Sequence, residues 1–146
     1  MGLFSRKREG GGDATRLYYA SDIHGSEVLW RKFLNAAQAY RADVLVMGGD
    51  LTGKVVIPFV ERPEGIEVEL FGERHLLSDP EQITEMADRV RANGMYPYEM
   101  DAAEVDEVAA MTVEEREHWF ADVMRRTLAN WLVLADERLD AGQPCF

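Results

Sequence analysis

Residues 46 to 56 read VMGGDLTGKVV, and two kinds of site are compatible with this stretch. Gly48 followed by the pair Gly53-Lys54 approximates a phosphate-binding P-loop, whereas Asp50, directly after an apolar run, is placed like a metal ligand. A P-loop requires Ser or Thr after the lysine and then a helix whose amino terminus faces the phosphates. Position 55 is instead Val, and VVIPFV is β-branched with a proline. We therefore predict that a turn at Gly53-Lys54 leads into a strand and that Asp50 is the residue of interest.

The segments before this stretch predict a strand, a helix and a second strand. RLYYASDI is aromatic and apolar, and DVLVMGG is a continuous apolar run typical of a strand covered on both faces. Between them, Ser26 is expected to cap a helix from Glu27 to about Tyr40. The apolar positions of this helix recur at intervals of three and four: Leu29, Trp30, Phe33, Ala37 and Tyr40. Such a unit of about 35 residues predicts a right-handed βαβ connection between two parallel strands.

After Lys54 the pattern predicts a hairpin and then helices. VVIPFVE and IEVELFG flank the turn sequence RPEG, and Pro58 places the first of these strands at an edge or a bend. One helix is predicted from Asp79-Pro80 to Asn93-Gly94, and a short acidic helix from Asp101.

A long final helix is predicted from the capping box TVEE, in which Thr112 pairs with Glu115. Gly142 and Pro144 are expected to end this helix, and PCF to begin another strand. The helix carries one apolar stripe, formed by Phe120, Met124, Leu128, Trp131, Ala135 and Leu139.

Length and composition indicate one globular, soluble domain. The chain has 146 residues and a net charge of −11, which disfavours sequence-independent binding to nucleic acid. One cysteine, Cys145, fits a reducing compartment, and neither a secretory signal nor a membrane-spanning run is visible. We predict a cytoplasmic protein without membrane partners, whose residues 1–14 form a flexible basic tail and whose domain occupies residues 15–146.

Three potential metal ligands follow the first two predicted strands. Asp22 and His24 lie after the first strand and Asp50 after the second, and parallel neighbouring strands bring their carboxyl ends together. Asp22 and His24 are two residues apart, so an extended segment would direct both side chains to the same side. Two carboxylates and an imidazole suit manganese, iron or zinc. Gly25, Gly48 and Gly49 are expected to let the backbone turn sharply beside the ion.

The stretches YYASDIHGS and LVMGGDLTGK resemble the first two motifs of the calcineurin-like metallophosphoesterases. The resemblance covers about a quarter of the chain, from Leu17 to Lys54. It implies that Asp22 and His24 bind one divalent metal ion and that Asp50 bridges two. It also implies a fold resembling a four-layer α/β sandwich and hydrolysis of phosphomonoesters or phosphodiesters by a metal-bound hydroxide. The substrate would then be a small phosphoester.

The later motifs of that family, a G-N-H/D motif and a G-H-x-H pair, are not present. His75 and His118 have no such motif around them and are expected to be structural or solvent-exposed. The resemblance therefore implies a partial α/β sandwich: a parallel βαβ unit, a hairpin and two to three helices, with a helical insertion at about residues 72–142. On this basis the chain would be an amino-terminal portion of a phosphoesterase, inactive alone, with no catalytic residue identifiable.

An alternative function is a non-catalytic interaction or regulatory module that retains half a metal site. The long final helix, with Trp119 and Trp131, would then dock a partner. The simpler expectation for the apolar stripe is that it covers the rest of the domain.

Overall fold

Six strands and four helices make up residues 14–139 and 145, which are the residues that the computed structural model describes. The first four elements in chain order are β1 (Leu17–Ala20), α1 (Glu27–Ala39), β2 (Val44–Met47) and β3 (Val56–Arg62). The remaining six are β4 (Gly65–Leu70), β5 (Glu73–Leu77), α2 (Pro80–Ala92), β6 (Tyr96–Met100), α3 (Ala102–Ala110) and α4 (Val113–Arg138). The fold is therefore mixed α/β. The predicted tail and the predicted helix stops Gly142 and Pro144 fall outside the described residues, apart from position 14.

Strands β1 and β2 pair in parallel, which confirms the predicted parallel pairing. Their register runs from Leu17 opposite Val44 to Ala20 opposite Met47. Leu45 is fully buried, but the other β2 residues are only half-buried, so β2 is less enclosed than its continuous apolar run suggested. Cys145 forms an isolated parallel bridge with Leu45, which agrees with a strand beginning there.

Helix α1 begins where the sequence predicts, because the Ser26 side chain accepts a hydrogen bond from the backbone N–H of Leu29. Its buried residues are Trp30, Phe33, Leu34, Ala36 and Ala37. Two of the predicted core positions, Leu29 and Tyr40, are instead 41% and 62% exposed. Leu29 lies in the first turn of the helix. Tyr40 lies after its last residue and stacks on Tyr18 with ring centroids 5.4 Å apart.

Helix α4 packs across α1 through two tryptophans. The rings of Trp30 and Trp131 stack 5.4 Å apart, and the Trp30 indole N–H donates to the Trp131 carbonyl at 3.1 Å. Every position of the predicted apolar stripe is buried or half-buried, so the stripe faces the interior as expected. The helix ends at Arg138, earlier than predicted, and Leu139 is its C-cap.

The second sheet has the order β5-β4-β3-β6. The predicted hairpin is confirmed, since β3 and β4 pair antiparallel up to Arg62 opposite Gly65. The edge position predicted from Pro58 is wrong, because β3 has β4 on one side and the parallel strand β6 on the other. The hydrogen-bond ladder between β3 and β4 starts only at Phe59. Pro58, which has no backbone N–H, therefore does not have to donate a hydrogen bond to β4.

Two strands lie within residues 72–142, the segment predicted as a helical insertion. Strand β5 pairs antiparallel with β4, and His75 lies within it, opposite Val68. Strand β6 is the short segment YPYEM, whose strand conformation depends on pairing with β3. The helices predicted for this segment are present. Asp79 and Thr112 are N-caps as expected, and Asp101, predicted as the start of the short helix, is its N-cap. No helix in the described part of the chain is long and apolar enough to cross a membrane.

The cap of α4 gives a pH-dependent contribution to stability. The backbone N–H and the hydroxyl of Thr112 both donate to Glu115 Oε2 at 2.8 Å, and the backbone hydrogen bond is the larger cause of the lowered pKa of Glu115. A depressed folded-state pKa stabilises the fold above the unfolded-state pKa, and the effect is lost as the pH falls through the lowered value. Glu115→Gln is therefore expected to destabilise the protein at pH 7 and to have a progressively smaller effect in acid. Urea unfolding of both proteins across this pH range measures the difference, and a difference that does not change with pH would contradict it.

Candidate metal centre

The loops that follow β1 and β2 lie side by side and are joined through their backbones. Asp22 N–H donates to the Gly49 carbonyl at 3.1 Å, His24 N–H to the Asp50 carbonyl at 3.0 Å, and Gly25 N–H to the Leu51 carbonyl at 2.9 Å. These bonds continue the contact between the parallel strands beyond their last paired residues. The two strand ends are therefore neighbours, as the predicted βαβ unit requires.

This arrangement brings all three predicted ligands together. Asp22, His24 and Asp50 each offer a ligand atom, and these atoms lie within 4.8 Å of one another. His24 Nδ1 is 3.0 Å from Asp50 Oδ2, and the two side chains are 54% and 39% exposed. The Ser21 hydroxyl donates to Asp22 Oδ2 at 2.5 Å. The cluster is thus open to solvent and accessible to a small molecule.

The backbone at all three candidate ligands is left-handed. Their φ angles are +58° at Asp22, +46° at His24 and +35° at Asp50. Asp and His enter this region more readily than most residues, but such a conformation still costs about 1–3 kcal/mol each and clusters at functional sites. The predicted extended path from Asp22 to His24 is therefore wrong, because the side chains converge through a tight turn. The tight turn results from the hydrogen bonds between the two loops. The alternating pattern of an extended strand contains no information about these bonds.

The donor set and its dimensions fit a divalent ion. Protein ligands lie about 2.0–2.2 Å from zinc, so two ligands of one ion lie at most about 4.4 Å apart. The observed separations, within 4.8 Å, need only a small side-chain adjustment to reach this range. Carboxylate oxygens and an imidazole nitrogen suit manganese, iron and zinc. Asp22, His24 and Asp50 form the one group of three or more potential ligands within residues 14–139 and 145.

The predicted glycines contribute in two ways. Gly25 and Gly49 have φ values of +75° and +140°, which confirms that they allow sharp turns beside the ligands. Gly48 has a different role, because a Cβ atom there would lie 1.8 Å from the Tyr19 hydroxyl oxygen. Tyr19 is an exposed strand residue, so the apolar pattern of the sequence does not indicate that its ring lies against the loop at Gly48.

A third segment, from the end of α2 at Ala92 to the start of β6 at Tyr96, supports both loops from within the protein. The Tyr96 hydroxyl accepts a hydrogen bond from Gly53 N–H at 2.6 Å, and burial raises the pKa of Tyr96, which keeps the phenol neutral. The Ser26 hydroxyl donates to the Ala92 carbonyl at 3.2 Å. Gly94 was expected only as a helix stop, but a Cβ atom there would lie 2.2 Å from the His24 carbonyl oxygen. No local signal in the sequence indicates this long-range contact.

The remaining histidines lie elsewhere, as expected. His75 is half-buried in β5, with Nε2 3.9 Å from Glu73, and His118 is exposed on α4, with Nδ1 2.8 Å from the Glu114 carbonyl oxygen. The element that follows Lys54 is strand β3 and not the helix that a P-loop requires. The P-loop geometry is therefore excluded at this position.

No protein-family model matches the chain, and searches of curated proteins and of solved structures also find no match. The functional interpretation of this site therefore depends on its residues and on their geometry.

Proposed function

We propose that Asp22, His24 and Asp50 bind a divalent metal ion and that this centre serves the hydrolysis of a phosphomonoester or phosphodiester. The observation that carries the proposal is the convergence of three ligand atoms within 4.8 Å at residues whose backbones are all left-handed. An Asp that only stabilises a turn, through a hydrogen bond from its side chain to its own backbone, would explain one such residue. It does not explain three on two loops that face one another.

Each ligand has a role that follows from its position. Asp22 and His24 share one tight loop and would hold the same ion, while Asp50 enters from the neighbouring loop and has a second oxygen with which to reach another ion. Bound metal lowers the pKa of coordinated water and offsets the charge of a phosphoryl group. This second effect matters in a chain of net charge −11, which otherwise repels an anionic substrate. Manganese, iron and zinc are the candidates.

The proposed fold relation is a partial metallophosphoesterase-like sandwich. The parallel β1-β2 pair with α1, followed by a separate mixed sheet, supports this proposal. Three protein ligands with an open position are typical of catalytic rather than structural zinc sites. Because the later family motifs are missing, we expect weak binding and little turnover by these 146 residues. The single cysteine supports a cytoplasmic location for the reaction.

Calorimetric titration of the metal-free protein with manganese tests this proposal. Saturable binding of one ion per chain is the expected result, because three ligands converge at one position. Hydrolysis of a chromogenic phosphodiester is the second measurement, and turnover that requires manganese, even at the low rate expected of these residues, would support the reaction class. A protein that is folded by circular dichroism and that does not bind manganese, iron or zinc would contradict the proposal.

The alternative of a partner-docking module depends on Trp119 and Trp131. Trp131 is buried against Trp30, and Trp119 packs edge-on against Tyr98 with ring centroids 5.3 Å apart. Both side chains are thus used in internal packing. We therefore prefer the hydrolase proposal over partner docking by this helix.

A further inference from the structure

Strand β6 contacts the loop that carries Asp50 through one buried phenol. Tyr96 is 3% exposed, and its hydroxyl lies 2.6 Å from the backbone nitrogen of Gly53, three residues after Asp50. The aromatic ring of Tyr96 packs edge-on against Phe120 of α4, with centroids 6.1 Å apart. The ring is thus fixed by the core, while its hydroxyl holds the loop.

The backbones of three glycines meet next to this hydrogen bond. A Cβ atom at Gly53 would lie 2.0 Å from the Gly94 carbonyl oxygen, and one at Gly94 would lie 2.2 Å from the His24 carbonyl oxygen. A Cβ atom at Gly25 would lie 2.4 Å from the Gly53 nitrogen. The α2–β6 turn therefore touches both loops that carry the candidate ligands.

We propose that Tyr96 is a positioning residue for the metal centre. Its hydroxyl fixes the Gly53 amide, and this contact holds Asp50 within reach of Asp22 and His24. The inference rests on the proposed metal binding. It adds a residue whose oxygen accepts from the Gly53 backbone instead of forming part of the ligand cluster, and which lies in a different sheet from β1 and β2.

The loop needs this support because the backbone at Asp50 is in the unfavourable left-handed conformation. A residue in this conformation returns to a commoner one unless the surrounding structure opposes it. On its carboxyl side the loop is bonded at Gly53 by the Tyr96 hydroxyl, and removal of that acceptor leaves a buried N–H without a partner. The Asp50 side chain then samples positions in which it does not reach the ion, and the metal affinity falls.

The test compares Tyr96→Phe with Tyr98→Phe. Both variants remove one hydroxyl from β6, but the Tyr98 hydroxyl donates to Glu104 of α3 at 2.7 Å, whereas the Tyr96 hydroxyl accepts from the loop that carries Asp50. We expect Tyr96→Phe to weaken manganese binding by about 10-fold, in the range seen when groups that orient metal ligands are removed. Tyr98→Phe should bind manganese like the wild type. Hydrogen exchange of the Gly53 amide in the metal-free protein, followed by NMR, should accelerate in Tyr96→Phe only.

The two readouts separate this inference from the proposed function. If the wild type binds no metal, the proposed function fails, while faster exchange of the Gly53 amide in Tyr96→Phe than in the wild type still shows that Tyr96 holds the loop. If the Gly53 amide exchanges rapidly in the wild type, the positioning role is excluded without any variant. Equal metal affinities of wild type and Tyr96→Phe, or equal losses in the two variants, would also overturn it.

Discussion

Asp50→Asn is expected to weaken manganese binding by more than about 100-fold while leaving the fold intact. Loss of groups that only orient ligands already costs about 10–100-fold, and Asp50 is itself a proposed ligand. The change removes one of two carboxylates from the cluster and replaces an anionic oxygen with a neutral amide. Asn occupies the left-handed region at least as readily as Asp, so the +35° backbone angle is retained. The amide oxygen can also still accept from His24 Nδ1, which lies 3.0 Å from Asp50 Oδ2.

Asp43→Asn is the matched control for this prediction. Asp43 precedes β2 whereas Asp50 follows it, so the two carboxylates lie at opposite ends of one strand. Asp43 accepts a hydrogen bond from the Arg16 backbone N–H at 2.6 Å, a bond that the Asn oxygen can preserve. Both variants change the net charge by the same amount. Calorimetry should therefore show lost binding in Asp50→Asn and unchanged binding in Asp43→Asn. Equal affinities in the two variants would mean that general surface charge, and not a defined site, attracts the ion.

The convergence of Asp22, His24 and Asp50 could be predicted from the sequence because their placement depends on local features. Apolar runs end at Ala20, two residues before Asp22, and at Met47, three residues before Asp50, and Ser26 marks the start of the intervening helix. These features determine the order of strand, helix and strand, and parallel pairing then places the two loops together. The helix caps Asp79 and Thr112 were predictable for the same reason, since a cap bonds within its own first turn.

The features that could not be predicted depend on contacts between distant segments. Strand β6 carries a proline and no clear alternation, and its conformation comes from pairing with β3. Pro58 is an inner-strand residue only because the ladder with β4 starts one residue later. The left-handed angles at the ligands likewise come from hydrogen bonds between the two loops. Propensity and periodicity carry no information on such contacts, so the three candidate residues could be predicted from the sequence, whereas the contacts that support their loops could not.

Gly94→Ala is expected to destabilise the protein by about 3 kcal/mol or more and to weaken metal binding. Gly94 has a φ of +74°, and a left-handed conformation costs about 1–2 kcal/mol for a residue with a Cβ atom. The new methyl group would also lie 2.2 Å from the His24 carbonyl oxygen, which is backbone and cannot rotate away. Forcing an extra methyl group into a packed region costs about 1–3 kcal/mol further. Urea unfolding measures the combined loss.

Gly72→Ala separates the two causes of this loss. Gly72 lies in the turn between β4 and β5 with a φ of +82°, but a Cβ atom there meets nothing within 4 Å. This variant should therefore show the conformational cost of about 1–2 kcal/mol alone, and its manganese affinity should equal that of the wild type. In Gly94→Ala the His24 carbonyl must shift, and with it the loop that holds His24 and Asp22, so the metal affinity falls together with the stability. If the two variants lose the same stability and bind metal equally well, the α2–β6 turn does not press against the metal loop, and the loop holds its shape by its own hydrogen bonds.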